Sequence, residues 1–366
     1  MTLLDKVLSF VFSHTISTQP GFIIESFGSR KLRNVFLSET AMAGIENAVS
    51  KAGGDKLLYQ TGKEIGFNYA KAIPLPHFDS PLRGAFLRET VRFLEATLGE
   101  CTNYSVDWKS KRVEMSFQDF AVCRKNGNGL FFIGAFTGLL AFVFNDKTIE
   151  GIQTTCRGRG SSECHGIAMP ASAFGKTKFI SHANFGETTL PQQYDAFNSI
   201  IPFEQEYGLE ALGQVGLTKY QTSKFEVLGE RFIPLEISFE FGLEKRLKTS
   251  GMNLEKTVYT PSFNAFQSFG KQIAEKRRGA ASNALDFTAK LLSALGWGLV
   301  QVRPDSRPGF IIRGFPWTQD LETLKTSQYF MGAIDGLVSG LSGKKVKSKI
   351  VNTSKTEGRL DFATLF

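Results

Sequence analysis

The sequence predicts an α+β protein with two repeated domains, each an antiparallel sheet with helices packed mainly on one face. Two observations carry this reading. Residues 35–170 and 232–366 show one pattern twice, and in each copy three helix-like segments precede the strand-like ones. The run GAFTGL at Gly134–Leu139 recurs as GAIDGL at Gly332–Leu337, Leu98-Gly99 as Leu295-Gly296, and the GKEI run at Gly62 as GKQI at Gly270. The offsets are 198, 197 and 208, and a near-constant order with small insertions is the mark of duplication. With 366 residues, 42% of them hydrophobic, the chain is long and apolar enough for two cores. It divides into an N-terminal amphipathic segment (1–34), a first domain (35–172), a connecting segment (173–230) and a second, degenerate domain (231–366).

In the first copy, Ser38 to Lys51 has helical spacing and stops at Gly53-Gly54. Lys56 to Ile73 is a second helix, ended by Pro74 and Pro76, and Leu87 to Leu98 a third. Tyr104 to Trp108 turns through Lys109–Lys111 into Val113–Val122, where Val113, Met115 and Phe117 alternate with polar neighbours as in a half-buried strand. Gly129 to Phe144 is apolar throughout, with Phe131, Phe132, Phe136, Phe142 and Phe144 on all faces. Its 16 residues fall short of the ~20 that cross a bilayer, so it reads as a buried core helix. Gly134 and Gly138, and Gly332 and Gly336 in the second copy, allow close backbone approach to a neighbouring element. A hairpin closes the copy: Thr148 to Cys156, a turn at Gly158-Arg159-Gly160, and a return through Glu163 to Met169. The second copy repeats the order, with its last strand at the C-terminus.

At the start, Leu4, Val7, Leu8, Val11 and Phe12 mark one face of a short helix, without the basic flank of a signal peptide. The chain therefore reads as cytoplasmic and not transmembrane. A net charge of +8 permits attraction to nucleic acid or anionic lipid, but the basic residues are dispersed. The runs at Lys344–Lys349 and Lys276–Arg278 read as solvated faces, so nucleic acid is not an expected partner. Four cysteines exclude a disulfide framework. Gly175-Lys176-Thr177 lacks the first glycine of a phosphate loop, and no nucleophile elbow or dinucleotide fingerprint is present. The four histidines form no metalloprotease pattern. These absences favour a binding module over a hydrolase or kinase.

Cys156 and Cys164 face each other across the predicted hairpin, where two thiols converge as soft metal ligands or as a buried pair in a sheet. The run from Gly134 through Leu140 into Cys156-Arg157-Gly158-Arg159-Gly160-Ser161-Ser162-Glu163-Cys164, with the LYQTGKEIG run at Leu58–Gly66, resembles the signature of the 4-vinyl reductase domain family. The resemblance covers the first copy well and the second by pattern alone. It implies a small-molecule-binding α+β domain, similar in fold to the small subunits of the TRAPP vesicle tether and to haem nitric-oxide-binding domains. Family members include accessory proteins of bacteriochlorophyll synthesis and sensor modules of activators of aromatic-compound catabolism. In those sensors zinc is held by three cysteines and a glutamate beside an aromatic pocket.

Carried over by residue, Cys156 and Cys164 match two thiolate ligands, the glutamate position is Gln153, and the third cysteine position is Gly129. Cys123, His165 and Glu163 are the candidate substitutes. In the second copy the thiol positions are Ser354 and Phe362, so that copy is expected to hold no metal. The family's pocket lies between helices and sheet. Phe117, Phe120, Phe132 and Phe136 are the candidate lining here, with core packing as the alternative. The expected function is non-enzymatic binding or sensing of a hydrophobic small molecule, with output through a protein partner or homo-oligomer. The rivals are a ligand-free structural scaffold and an accessory of tetrapyrrole vinyl reduction.

Overall fold

The computed structural model describes residues 14–19, 21–27, 30–73, 98–126, 128–185, 218–221, 224–276, 283–304, 308–316, 327–354 and 359–365, with isolated positions between 84 and 95. The expected helix at Met1–Ser13 and the Pro191 region lie outside them. Of the expected third helix, residues 87, 88, 91 and 95 are helical, and residue 84 just ahead of it is helical too.

The first repeat runs α1 (Glu39–Lys51), α2 (Asp55–Ala72), β4 (Cys101–Asp107), β5 (Arg112–Phe117), a short α3 (Cys123–Asn126), α4 (Leu130–Val143), β6 (Ile149–Thr155) and β7 (Cys164–Pro170). The second runs α5 (Ile237–Thr249), α6 (Thr260–Lys276), α7 (Ala284–Ala294), β11 (Leu299–Val302), β12 (Gly309–Arg313), α8 (Gln328–Ser342), β13 (Lys347–Ser354) and β14 (Arg359–Leu365). Each repeat builds a four-stranded antiparallel sheet, ordered β4-β5-β7-β6 and β11-β12-β14-β13. The α+β duplication is therefore present. Helices α1 and α5 lie 198 positions apart, as do their N-caps, Ser38 and Glu236, whose side chains accept from Ala41 and Ser238 amides.

Strands also precede each repeat. β1 (His14–Gln19), β2 (Phe22–Phe27) and β3 (Arg30–Ser38) form one meander. β8 (Thr218–Gln221), β9 (Lys224–Val227) and β10 (Glu230–Glu236) form the other; β8 and β9 lie in the stretch read as a connector, and β10 opens the second domain. β3 pairs antiparallel with β10, joining both into a six-stranded sheet with a pseudo-two-fold seam. Each meander anchors on the opposite repeat. Arg33 on β3 is buried and donates to the carbonyls of Gly296 and Gly314. Its counterpart Arg231, 198 positions on, donates to the carbonyl of Asp119.

The glycines at the helix crossings do what their spacing suggested. Gly134 and Gly138 on α4 sit on the backbone of Tyr59 and Lys63, and Gly332 and Gly336 on α8 sit on Tyr259 and Phe263. This pairing equates Tyr59 with Tyr259, an offset of 200. Gly270 therefore corresponds to Ala70, not Gly62: the matched GKEI and GKQI runs stand two helical turns apart on one face, which is why they mimic each other.

The pairing of cap residues has a pH consequence. Burial pushes the Glu236 carboxyl up to about 8, with Glu25 adding to the rise and the Ser238 hydrogen bonds opposing it. Between the ordinary carboxylate range and pH 8 the folded chain keeps a proton that the unfolded chain releases. Stability then falls with rising pH by up to about 1.4 kcal/mol per unit. Glu236→Gln keeps a cap acceptor and removes this slope. The melting temperature of the variant should match the wild type near pH 4 and exceed it increasingly towards pH 8.

Candidate functional site

The hairpin tip brings two thiols together. A single 3₁₀ turn at Arg157–Arg159 ends on Gly160 at φ +92°, a left-handed position that suits glycine. The Arg159 and Ser161 amides donate back to the Cys156 carbonyl, and the Arg157 amide donates to the Cys164 sulfur at 3.4 Å. Both thiols are buried.

The third thiol arrives from another element. Cys123 opens α3 directly after Val122, a β-branched residue at φ +69°. Such a conformation is costly and persists only where its surroundings impose it. Here the Val122 amide donates to Glu39 at 3.0 Å, and Arg124 ion-pairs with the same buried carboxylate. Cys123, Cys156 and Cys164 place their sulfurs within 4.8 Å of one another, with Cys123 and Cys164 3.0 Å apart.

Three thiolates bound to one tetrahedral metal at ~2.3 Å stand roughly 3.8 Å apart, so small adjustments seat an ion. Gln153 donates to the Cys123 sulfur at 3.4 Å, and its Oε1 is buried without a partner. An amide flip exchanges the two atoms and turns that oxygen to the cluster as a fourth ligand. The donor set fits a soft or borderline cation. Cys123 and Cys164 are linked by one S–H···S hydrogen bond. The Cys123 thiol beside it draws Cys164 below the ordinary thiol range, helped by the Arg157 amide, while Cys123 is pushed up.

Gly129, the position implied for the missing cysteine, has no side chain, but a Cβ built there meets Cys123 Cβ at 2.9 Å. Cys123 occupies that space from six residues upstream. The other candidate substitutes stay outside the cluster: Glu163 accepts from Ser116, and His165 bonds Thr154 and faces Glu114. Gln153 takes the place of the glutamate. In the second repeat Phe362 is buried, pairs with Phe310, and packs on Phe330 at 5.6 Å, within an aromatic core that includes Trp297 and Tyr329.

Against the cluster lies an apolar cavity of about 60 Å³ between α4 and the sheet. Its existence follows from cross-strand register. Small residues face one another, Gly151 opposite Ala168 and Gly166 between Met115 and Gln153; Thr137 takes the space at Gly151, and the layer stays underfilled at Gly166. Phe117, Phe120 and Phe136 line it, as do Cys164 and Gln153. Phe132 does not: it is buried against Phe131, edge to face at 5.5 Å.

A second, more open chamber of about 320 Å³ shares the walls Ile133, Gly151, Ile152 and Gln153. Its outer side is an extended strap after β7 that contributes Lys178, Phe179 and Ile180. The strap is fastened by the His182 amide to Glu150 at 2.6 Å and the His182 ring to Glu64 at 2.8 Å. Glu150 also holds Lys63, at 2.8 Å with both side chains buried, and accepts from Tyr59.

No protein-family model and no curated protein matches the chain, so the vinyl-reductase and tether resemblances rest on the quoted residues alone. Among the solved structures similar over part of the chain is the phenol-responsive sensory domain of the transcription activator PoxR with phenol. The identity is 16% and the TM-score 0.34, over 47% of this chain and 92% of that one. A score so low says nothing about the site. No helix among the described residues is long and apolar enough to cross a membrane.

Proposed function

We propose that the first repeat is a metal-stabilised receptor for a small hydrophobic molecule. The observation that carries this reading is the contiguity of the apolar cavity with the three-thiol cluster through Cys164 and Gln153. Cys123, Cys156 and Cys164, with Gln153, would hold a zinc ion. Its role is structural: it ties the strained turn after Val122 to the hairpin that forms one cavity wall. The ligand's apolar part enters between Phe117, Phe120 and Phe136 and the small residues of the sheet. About 60 Å³ is less than the ~150 Å³ that admits benzene, so a ring enters only as the half-buried Phe136 yields. A tetrapyrrole is far too large for this cavity. Output passes through the second repeat, with its filled aromatic core, to a protein partner. Four free cysteines suit a reducing cytoplasm.

Two measurements test this. A native mass spectrum of chain purified without chelator should show one zinc, lost on acidification. Calorimetric titration with the neutral ligand 3-phenylpropanol should show one site. Gly166→Val places a side chain where a Cβ has room, 3.5 Å from the Ile152 carbonyl, and should weaken that binding by about tenfold or more while the melting temperature holds. Unchanged affinity in the variant would place the ligand elsewhere.

A further inference from the structure

The outer chamber is walled by two cations from different elements, Arg159 on the hairpin turn and Lys178 on the strap. Both are exposed, and neither has an acidic partner among the described residues. Glu150, which fastens the strap through the His182 amide, is already paired with buried Lys63 and engaged by Tyr59. The chamber therefore carries two cations in its lining and adjoins the apolar cavity through the shared residues Ile133, Gly151, Ile152 and Gln153. Polarity thus changes from the outer chamber to the inner cavity across the residues they share. A neutral hydrocarbon uses only the inner end; a ligand with an anionic end uses both.

We infer that the ligand is an amphiphilic monoanion, a carboxylate on a short apolar body, with the carboxylate between Arg159 and Lys178 and the body in the inner cavity. This rests on the receptor reading above and names the ligand class. The guanidinium offers a planar fork to a carboxylate, and the ammonium adds a point charge. The strap that carries Lys178 is held in place by the His182 contacts and by Phe174 stacked on Phe179 at 4.6 Å. Because both cations are exposed, water and salt weaken the attraction. The preference for an anion is accordingly modest and sensitive to ionic strength.

Titrating the full chain with 3-phenylpropionate and with 3-phenylpropanol separates the possibilities. At low salt the carboxylate should bind about tenfold tighter than the alcohol, and the gap should shrink in high salt. The double variant Arg159→Gln, Lys178→Gln should bring the carboxylate down to the affinity of the alcohol and leave the alcohol where it was. Equal binding of the two ligands by the wild type overturns the anion site and spares the receptor reading. So does equal weakening of both in the variant. Failure of both ligands to bind removes the receptor reading, and the anion site with it.

Discussion

Cys123→Ser is expected to strip the metal from the first repeat and to lower its melting temperature sharply. The three sulfurs come from two separate elements, the first residue of α3 and the β6–β7 hairpin. Cys123 is the sole thiol on its side, so its loss uncouples the two. Serine offers a hard oxygen that a borderline cation binds poorly. Structural zinc contributes ~10–16 kcal/mol in small peptides, and even a quarter of that, about 3 kcal/mol, moves the melting point of a domain by roughly 6–12 °C. The strain at Val122 adds to the effect, because the proposed metal would be one of the restraints that hold that turn. Zinc per chain, read by elemental analysis, should fall from about one to near zero. Cys101→Ser is the control: its thiol is half-buried and bonds the Asn103 carbonyl, apart from the cluster, and zinc content should not change. A wild-type chain that purifies metal-free, with a Cys123→Ser melting shift of only a degree or two, would sink the metal centre and leave three packed thiols.

The site was only partly legible in sequence, and the reasons are physical. Cys156 and Cys164 could be placed together because a hairpin turn fixes cross-strand neighbours within a few residues. Cys123 was one of three candidates, and nothing local selects it. It reaches the cluster through a left-handed valine, held there by a glutamate 83 positions away. Phe117 and Phe136 follow from strand alternation and from the helix, yet Phe132 on the same helix turns into the core. An all-apolar helix carries no signal for which face meets a cavity. The cavity arises from absence, at Gly166 with Ala168 beside it, and small residues in register show only once strands are paired. The meanders do leave a trace in the sequence. Phe22–Phe27 follows a Pro-Gly pair, and Lys224–Val227 leads into a turn at Leu228 and Gly229, both at positive φ. Their pairing across the seam, 198 positions apart, is tertiary and has no local signature.

Gly66→Ala should rank among the most damaging single-methyl additions in the chain. Alanine is the better helix former by about 1 kcal/mol, so local propensity alone predicts a gain. Packing reverses the sign. A Cβ at Gly66 would lie 1.8 Å from the Ala135 carbonyl oxygen, where contacts under 3.0 Å are essentially never seen. The obstacle is helix backbone, which cannot rotate aside as a side chain would. Helices α2 and α4 must separate by more than an ångström along their whole crossing, loosening Gly62 on Phe131, Gly134 on Tyr59 and Gly138 on Lys63 together. Overpacking of this kind costs about 3 kcal/mol or more, which leaves a net loss of at least about 2 kcal/mol after the propensity gain. Gly270→Ala in the second repeat meets the Leu337 carbonyl at 2.6 Å and should cost less. Gly166→Ala, with 3.5 Å of room, should cost almost nothing. Denaturant unfolding of the three variants should give that order. The same displacement also carries a functional signature, because α4 supplies Ile133, Phe136 and Thr137 to the cavity wall. Gly66→Ala should therefore alter 3-phenylpropanol binding in whatever fraction remains folded, whereas Gly270→Ala should leave it intact. If Gly66→Ala unfolds at the wild-type midpoint, the close helix crossing is wrong, and the cavity built on α4 goes with it.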